Sequence, residues 1–312
     1  MTDIITLTIN PSIDISTSID RVMPVRKLRC SAARRDPGGG GINVARVVMR
    51  LGADVKALYP TGGATGQLLR RLMDSAGISS QAVPVSEEIR EDFTVFEEAT
   101  GDQFRFVLPG PRLSEQEWRE CLNALASLKS QQGFVVASGS LPPGVPVDFY
   151  KRATRIAKDW GAKVVLDTSG PPLEAALEEG VYLVKPNLHE LSDLVRTRLE
   201  DQDARVEACR RLVREGRAEV IALTLGNQGA LLVARDQAWC AQPLHIKPVS
   251  AVGAGDSFLG AMVWSLASGH SMHEAFRYGV AAGSAALLAP GTELCRREDI
   301  QHLCPQVTIE AI

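Results

Sequence analysis

Short, continuously apolar runs alternate along the chain with longer segments in which apolar residues recur every three or four positions. The runs are Ile4–Ile9, Val55–Leu58, Phe134–Ala137, Lys163–Leu166, Tyr182–Val184 and Val220–Leu223. The first is closed by Asn10-Pro11-Ser12, turn residues that end a strand. The periodic segments Ile42–Leu51, Gln67–Ala76, Glu115–Leu128, Asp148–Trp160 and Asp203–Glu215 predict helices. A strand that is apolar throughout is buried on both faces. Such strands, alternating with helices, predict an α/β fold: a mostly parallel sheet sandwiched by helices.

Two stretches depart from this rhythm. Residues 12–35 alternate polar with apolar positions and carry many basic ones. Residues 90–108 read as two strands, Phe93–Glu98 and Gln103–Leu108, joined by the turn Ala99-Thr100-Gly101-Asp102. The expectation is a single α/β domain over residues 1–312, with a small β-sheet lid formed by segments 12–35 and 90–108. Apolar Phe93, Val95, Phe104 and Phe106 on those strands predict a homodimer through the lid, because exposed apolar strands are covered by partners.

Composition narrows the classes. With 45% hydrophobic and 23% charged residues, the 312-residue chain has the make-up of a globular protein. A net charge of -3 offers no positive excess for phosphate backbones, so no nucleic-acid partner is expected. The six cysteines, at 30, 121, 209, 240, 295 and 304, form no C-x-x-C pair, which favours a reducing compartment over a disulfide framework. MTDIITLTIN lacks the basic flank and long apolar region of a signal peptide. No apolar run approaches the length of about 20 residues that spans a bilayer. The chain therefore reads as cytoplasmic, with no membrane partner.

Two glycine-rich turns carry the candidate chemistry. In SAVGAGDSF, residues 250–258, Gly253, Ala254 and Gly255 lead into an apolar helix whose first residues include Asp256. Backbone N–H groups at a helix start favour negative charge, and a carboxylate beside them is placed to accept a hydroxyl proton. Phosphoryl transfer needs that pair of features. The nonapeptide alone fits an N-capping aspartate after a tight turn equally well. In Pro37-Gly38-Gly39-Gly40-Gly41-Ile42-Asn43, four consecutive glycines imply close backbone approach, suited to a ligand rich in hydroxyls, with Asn43 adding an amide. A flexible loop is the alternative, although the run leads straight into a patterned helix.

Other signatures are missing: there is no G-x-x-x-x-G-K-[ST] loop, no G-x-G-x-x-G after the first strand, and no H-E-x-x-H or kinase H-R-D. His270 and His273 are spaced for one helix face without a joining thiolate or carboxylate, so a surface pair is expected rather than a metal site.

These stretches together resemble the ribokinase-like, or PfkB, carbohydrate kinases. GGGGINVARVVMRLG is similar to the family's first signature and AVGAGDSFLGAM to its second. Between them GSLPPGV (139–145), LDTSG (166–170), KPNLHEL (185–191) and TLGNQGALL (224–232) follow in the family's order. TLTINPSID, KLRC and QFRFVLPG are similar to kinases of phosphorylated sugars within the family. The resemblance implies ATP-dependent phosphorylation of fructose 6-phosphate at its 1-hydroxyl. Tagatose 6-phosphate and fructose 1-phosphate are the alternative substrates. A non-catalytic sugar- or nucleotide-binding protein on the same fold is the alternative of another class, since fold does not fix function. Loss of the acid or of the anion-hole glycines would mark it, and both are present.

By the same resemblance Asp256 is the base, with Gly253, Ala254 and Gly255 forming the anion hole. Asp14, Gly39, Gly40 and Asn43 hold sugar hydroxyls. Lys27, Arg90 and Arg105 serve the sugar's phosphate, arginine for its planar fork of donors, and Ser140 is a further substrate-binding residue. Lys185, Asn187, Glu190, Thr224, Gly226 and Gly229 bind ATP, and Asn187 and Glu190 organise Mg²⁺ through water. The small residues of Val280–Ala285, including Ser284, leave a slot for adenine, although close helix packing accounts for them equally. Ser250, Val252, Ala286 and Gly291 match a K⁺ loop, but Ala251, Ala289 and Glu293 depart from the family's usual residues there. Glu293 is compatible with strengthening that loop by its charge or with disrupting it.

Overall fold

The structure, a computed structural model, describes residues 3–129 and 133–312. Its strands are β1 (Ile4–Leu7), β2 (Ser12–Ile19), β3 (Arg34–Gly38), β4 (Lys56–Thr61), β5 (Ser79–Pro84), β6 (Arg90–Glu97) and β7 (Gln103–Phe106). There follow β8 (Phe134–Ser138), β9 (Lys163–Asp167), β10 (Val181–Val184), β11 (Ala218–Thr224), β12 (Ala230–Ala234), β13 (Ala238–Ala241) and β14 (Ile309–Ala311). The helices are α1 (Gly40–Arg50), α2 (Gly63–Ser75), α3 (Glu115–Ser127), α4 (Phe149–Lys158) and α5 (Gly170–Leu177). After them come α6 (Leu188–Val195), α7 (Gln202–Arg214), α8 (Ala254–Ala267), α9 (Met272–Ala286) and α10 (Arg297–Leu303).

The large sheet runs β14-β13-β12-β11-β10-β9-β8-β1-β4-β5. From β5 to β11 every pairing is parallel, and the last three strands are antiparallel. Successive side chains go to opposite faces. Phe134 and Val136 therefore join the core under α1, α8 and α9, while Val135 and Ala137 join the core under α3, α4 and α7. That double burial is why these strands read as unbroken apolar runs. No helix among the described residues is long and apolar enough to cross a membrane.

The chain leaves β1 for β4 and β5 on one side, then returns to β8 on the other. In open α/β sheets ligands bind in the crevice outside the strand ends at such a reversal. The small sheet, ordered β3-β2-β6-β7, grows directly out of β1 beside that crevice. The expected hairpin is present, with Phe93 opposite Phe106, but its strands are β6 and β7; Val107 and Leu108 lie beyond them. Alternation gives this sheet two characters. Asp14, Asp36, Asp92, Thr94 and Arg105 share one face by register. Ile13, Ile15, Phe93, Val95, Phe104 and Phe106 share the other. Phe106 is 56% exposed, so that apolar face is only partly covered in the single chain. His270 falls outside α9, stacked on Tyr278, so the two histidines do not share a helix face.

Candidate active site

Gly253 caps the N-terminus of α8 in the left-handed region, φ 75°, where a Cβ would also overlap Leu294. Glycine at this cap lets the chain enter the helix from Val252; Ala254 N reaches Ala251 O at 3.5 Å, while the N–H groups of Gly253 and Gly255 donate to no group among the described residues. Asp256 follows in the first turn, and Asn43 Nδ2 donates to its Oδ2 at 2.9 Å. Burial, reinforced by the charge of Asp167, pushes the Asp256 carboxyl up to about 6, against the pull of Asn43 and Lys185. At neutral pH it is thus an ionised but comparatively basic carboxylate, which suits general-base chemistry.

The glycine run of residues 38–41 is explained first by the protein's own packing. A Cβ on Gly38 would overlap the Asp14 carboxylate, and one on Gly40 would overlap Ser138 Oγ at the end of β8. The run therefore presses α1 against β1 and β8, and sets Asn43 facing Asp256. Asn43 is itself fixed by Arg46, whose Nη1 donates to Asn43 Oδ1 at 3.1 Å. Arg46 is buried; it also donates to Pro37 O and pairs with Asp36 at 3.1 Å. Burial lowers the Arg46 guanidinium to about 10, which still leaves it charged at neutral pH. Asp36 gathers Arg34, Arg46 and the Thr292 hydroxyl, so β3, α1 and the loop after α9 meet on one carboxylate.

Asp14 lies on the polar face of the small sheet, its Oδ1 accepting from Ser12 Oγ at 2.6 Å. Burial raises its carboxyl, with Asp92 adding to the effect and Ser12, Arg46 and Arg90 opposing it. Arg90 donates to Leu108 O and to Asn10 O and pairs with Asp92 at 3.1 Å. Asn10 Nδ2 donates to Ser140 Oγ at 3.1 Å, so Arg90, Asn10 and Ser140 form one wall of the crevice. Arg105 is exposed on β7, near Asp92. Lys27 lies on the exposed strap between β2 and β3, without a hydrogen bond or ion pair among the described residues.

On the other side, Lys185 follows β10 and is buried, its Nζ 3.2 Å from Asp167 Oδ1. Burial works against its charge, but Asp167, Asp256 and Glu190 outweigh it and raise its pKa. Asn187 and Glu190 form a reciprocal capping box at the start of α6: Glu190 N donates to Asn187 Oδ1 at 2.9 Å and Asn187 N to Glu190 Oε2 at 2.8 Å. Asp167, Glu190 and Asp256 thus converge on one ammonium. That surplus of negative charge and oxygen donors fits a hard divalent cation held largely through water and phosphate. No group of three or more His, Cys, Asp or Glu among the described residues makes a closed metal cage. Thr224 ends β11 beside Asn187, and Gly226 opens the next turn. Gly229 closes that turn, where a Cβ would overlap Ala241 O. Gly283 and Ser284 are half-buried on α9, with Gly283 against Ala254 O and Phe258 of α8.

Ser250 Oγ donates to Gly291 O at 3.1 Å and accepts from Val252 N at 3.2 Å, drawing together the loops of Val252 and Gly291, while Ala286 is the last residue of α9. Glu293 neither strengthens nor breaks this arrangement by a free charge: its carboxylate is held by Arg34 at 3.0 Å and Arg296 at 2.7 Å.

Arg46, Asp36, Asp167 and Asn10 had no individual signal in the sequence. Arg46, Asp167 and Asn10 lie inside the quoted motifs, but their roles depend on partners far along the chain.

The role of Asn43 is measurable. Its N–H favours the ionised form of Asp256, so Asn43→Ala is expected to raise the Asp256 pKa. The acid limb of log kcat/KM should then move to higher pH by up to about one unit, the value of one hydrogen bond. A limb that stays in place would show that Asp256 is not the group titrating.

A family model described as the pfkB family carbohydrate kinases matches residues 7–299. The chain is 46% identical, over 96% of its length and 88% of the relative's, to the ATP-dependent 6-phosphofructokinase isozyme 2 of Mycobacterium tuberculosis. Two crystal structures of phosphofructokinase-2 from Escherichia coli superpose closely. The one in complex with potassium gives a TM-score of 0.94 at 41% identity, covering 98% of this chain and 99% of that one. The one in complex with fructose 6-phosphate gives 0.92 at 40% identity, with the same coverage.

Proposed function

Because the chain belongs to the pfkB family of carbohydrate kinases, we propose that it is an ATP-dependent 6-phosphofructokinase, converting fructose 6-phosphate to fructose 1,6-bisphosphate. The observation that carries this reading is Asp256, half-buried, hydrogen-bonded to Asn43 and set in the first turn of α8 behind a glycine cap. In this reading Asp256 takes the proton of the sugar's 1-hydroxyl as that oxygen attacks the terminal phosphorus of ATP and the bond to ADP breaks. The N–H groups at Gly253, Ala254 and Gly255 face the charge on the phosphoryl oxygens, helped by the positive end of the helix. Asp14, Asn43, Gly39 and Gly40 hold the sugar's hydroxyls. Arg90, Arg105 and Ser140 receive its 6-phosphate, and Lys27 joins them only if its strap moves or a second subunit supplies it.

Lys185, Thr224, Gly226, Gly229 and Ser284 hold ATP, with Asn187 and Glu190 ordering the water around Mg²⁺. When bound, that ion neutralises phosphate charge. Ser250, Val252, Ala286 and Gly291 take K⁺, chiefly through backbone carbonyls, supported by the approach of Ser250 Oγ to Gly291 O at 3.1 Å and by the potassium complex of the Escherichia coli relative. Residues 1–312 act as one domain, with the small sheet serving as lid. Its apolar face, with Phe93 and Phe106, seats a second copy of the chain, and the protein works in the cytoplasm.

One experiment tests the reading. Fructose 6-phosphate, tagatose 6-phosphate and fructose 1-phosphate are assayed with ATP and Mg²⁺, in potassium and in sodium buffer, on a sample whose mass is read by light scattering. Fructose 6-phosphate is expected to give the highest kcat/KM, in potassium, from a dimer. A higher value for another sugar overturns the substrate, equal rates in the two buffers overturn the K⁺ site, and a monomeric mass overturns the lid interface.

A further inference from the structure

The carbonyl of Gly139, just past β8, accepts two hydroxyl hydrogen bonds. Tyr150 OH of α4 donates at 2.9 Å and Thr168 Oγ1, just past β9, donates at 2.9 Å. Both hydroxyl-bearing residues are buried, Tyr150 completely. The Gly139 N–H is also spoken for, donating to Asp167 O at 2.9 Å. Two buried side chains converging on one backbone oxygen, in addition to a β-type link, is more restraint than a strand end requires. The next residue is Ser140, whose N–H donates to no group among the described residues and whose Oγ takes the Asn10 amide.

We propose that Tyr150 and Thr168 are positioning residues for the sugar's phosphate, holding the Gly139–Ser140 peptide so that the Ser140 N–H faces the crevice. The reason is covalent. In a trans peptide the C=O and the following N–H point in opposite directions. Fixing the Gly139 oxygen toward α4 therefore turns the Ser140 N–H away from it. On that side stand Asn10, held by Arg90, and Gly40, which packs against Gly139. The unpaired N–H is thus ready to donate to a phosphate oxygen beside the Arg90 guanidinium, with no reorganisation on binding. Thr168 directly follows Asp167, the partner of Lys185, so the same strand end serves both halves of the crevice. Neither hydroxyl touches substrate in this arrangement; each acts through the backbone.

The inference rests on fructose 6-phosphate being the substrate, which is established first on the unaltered protein. Tyr150→Phe and Thr168→Val keep volume and remove one hydroxyl each; Thr168→Ser keeps the hydroxyl. Both deletions are expected to raise KM for the phosphosugar about tenfold, the scale of one hydrogen bond, while kcat and the KM for ATP stay within about twofold. Thr168→Ser is expected to restore the original KM. If the deletions lower the urea midpoint and move kcat and both KM values together, the hydroxyls are structural only and the proposal falls. It falls equally if KM for the phosphosugar is unchanged. Failure of the unaltered protein to use fructose 6-phosphate is a separate result, and it removes the substrate rather than the restraint.

Discussion

Asp256→Asn is expected to lower kcat on fructose 6-phosphate by about 10²–10⁴-fold, the range that a positioned general base contributes. The substitution keeps shape and still offers an oxygen to Asn43 Nδ2, so the geometry of neighbours such as Lys185 and the glycine cap is preserved. It removes only the ability to take a proton. Stability separates this from misfolding, and its sign can be worked out. Burial holds the Asp256 carboxyl at about 6, above its ordinary value, so the folded protein binds the proton more tightly than the unfolded chain does. Above pH 6 the ionised Asp256 therefore costs stability, and a neutral amide removes that cost. The urea midpoint at pH 7.5 should be unchanged or higher while turnover collapses. Turnover within tenfold of the original would remove Asp256 as the base.

Arg46→Leu is expected to destabilise the fold by about 3–5 kcal/mol, the penalty for stripping a buried charge of its partner. Arg46 is only 4% exposed, so little solvent screening discounts its pairing with Asp36. Its loss also leaves Pro37 O and Asn43 Oδ1 without their donor. Arg34 and Thr292 still hold Asp36, which sets the upper limit on the damage. Because Arg46 also fixes the Asn43 amide, kcat should drop along with the urea midpoint. Addition of saturating ATP and fructose 6-phosphate should recover part of the midpoint, since ligands that bind only the folded state stabilise it. An unchanged midpoint would show that the network around Asp36 is dispensable.

How far the sequence could be read depended on whether a residue's role was set locally. The central strands β1, β4, β8, β9, β10 and β11 were legible because burial on both faces imposes an unbroken apolar run on each. Strand β5, with the sequence SSQAVP, gave no such signal, because an edge strand is half exposed and defined by its pairing with β4. The small residues of Val280–Ala285 fit a slot for adenine and close helix packing equally; Gly283 meets Ala254 O and Phe258 of α8, and the smallness that admits a helix also admits a ligand. The missed strands β12, β13 and β14 are short antiparallel additions, each placed by the strand before it: β12 by β11, β13 by β12 and β14 by β13.

By itself the sequence determined the alternation of strand and helix, the glycine cap before Asp256, and the residue types around the crevice. All of these follow from short-range requirements: apolar period, backbone freedom at a turn, and an acid in a helix's first turn. Tertiary structure alone decided that Asn43 meets Asp256 across 213 positions and that Thr292 meets Asp36 across 256. Those pairings carry no local signal, because a hydrogen bond or an ion pair depends on distance in space, and only the packed sheet brings such distant residues within reach.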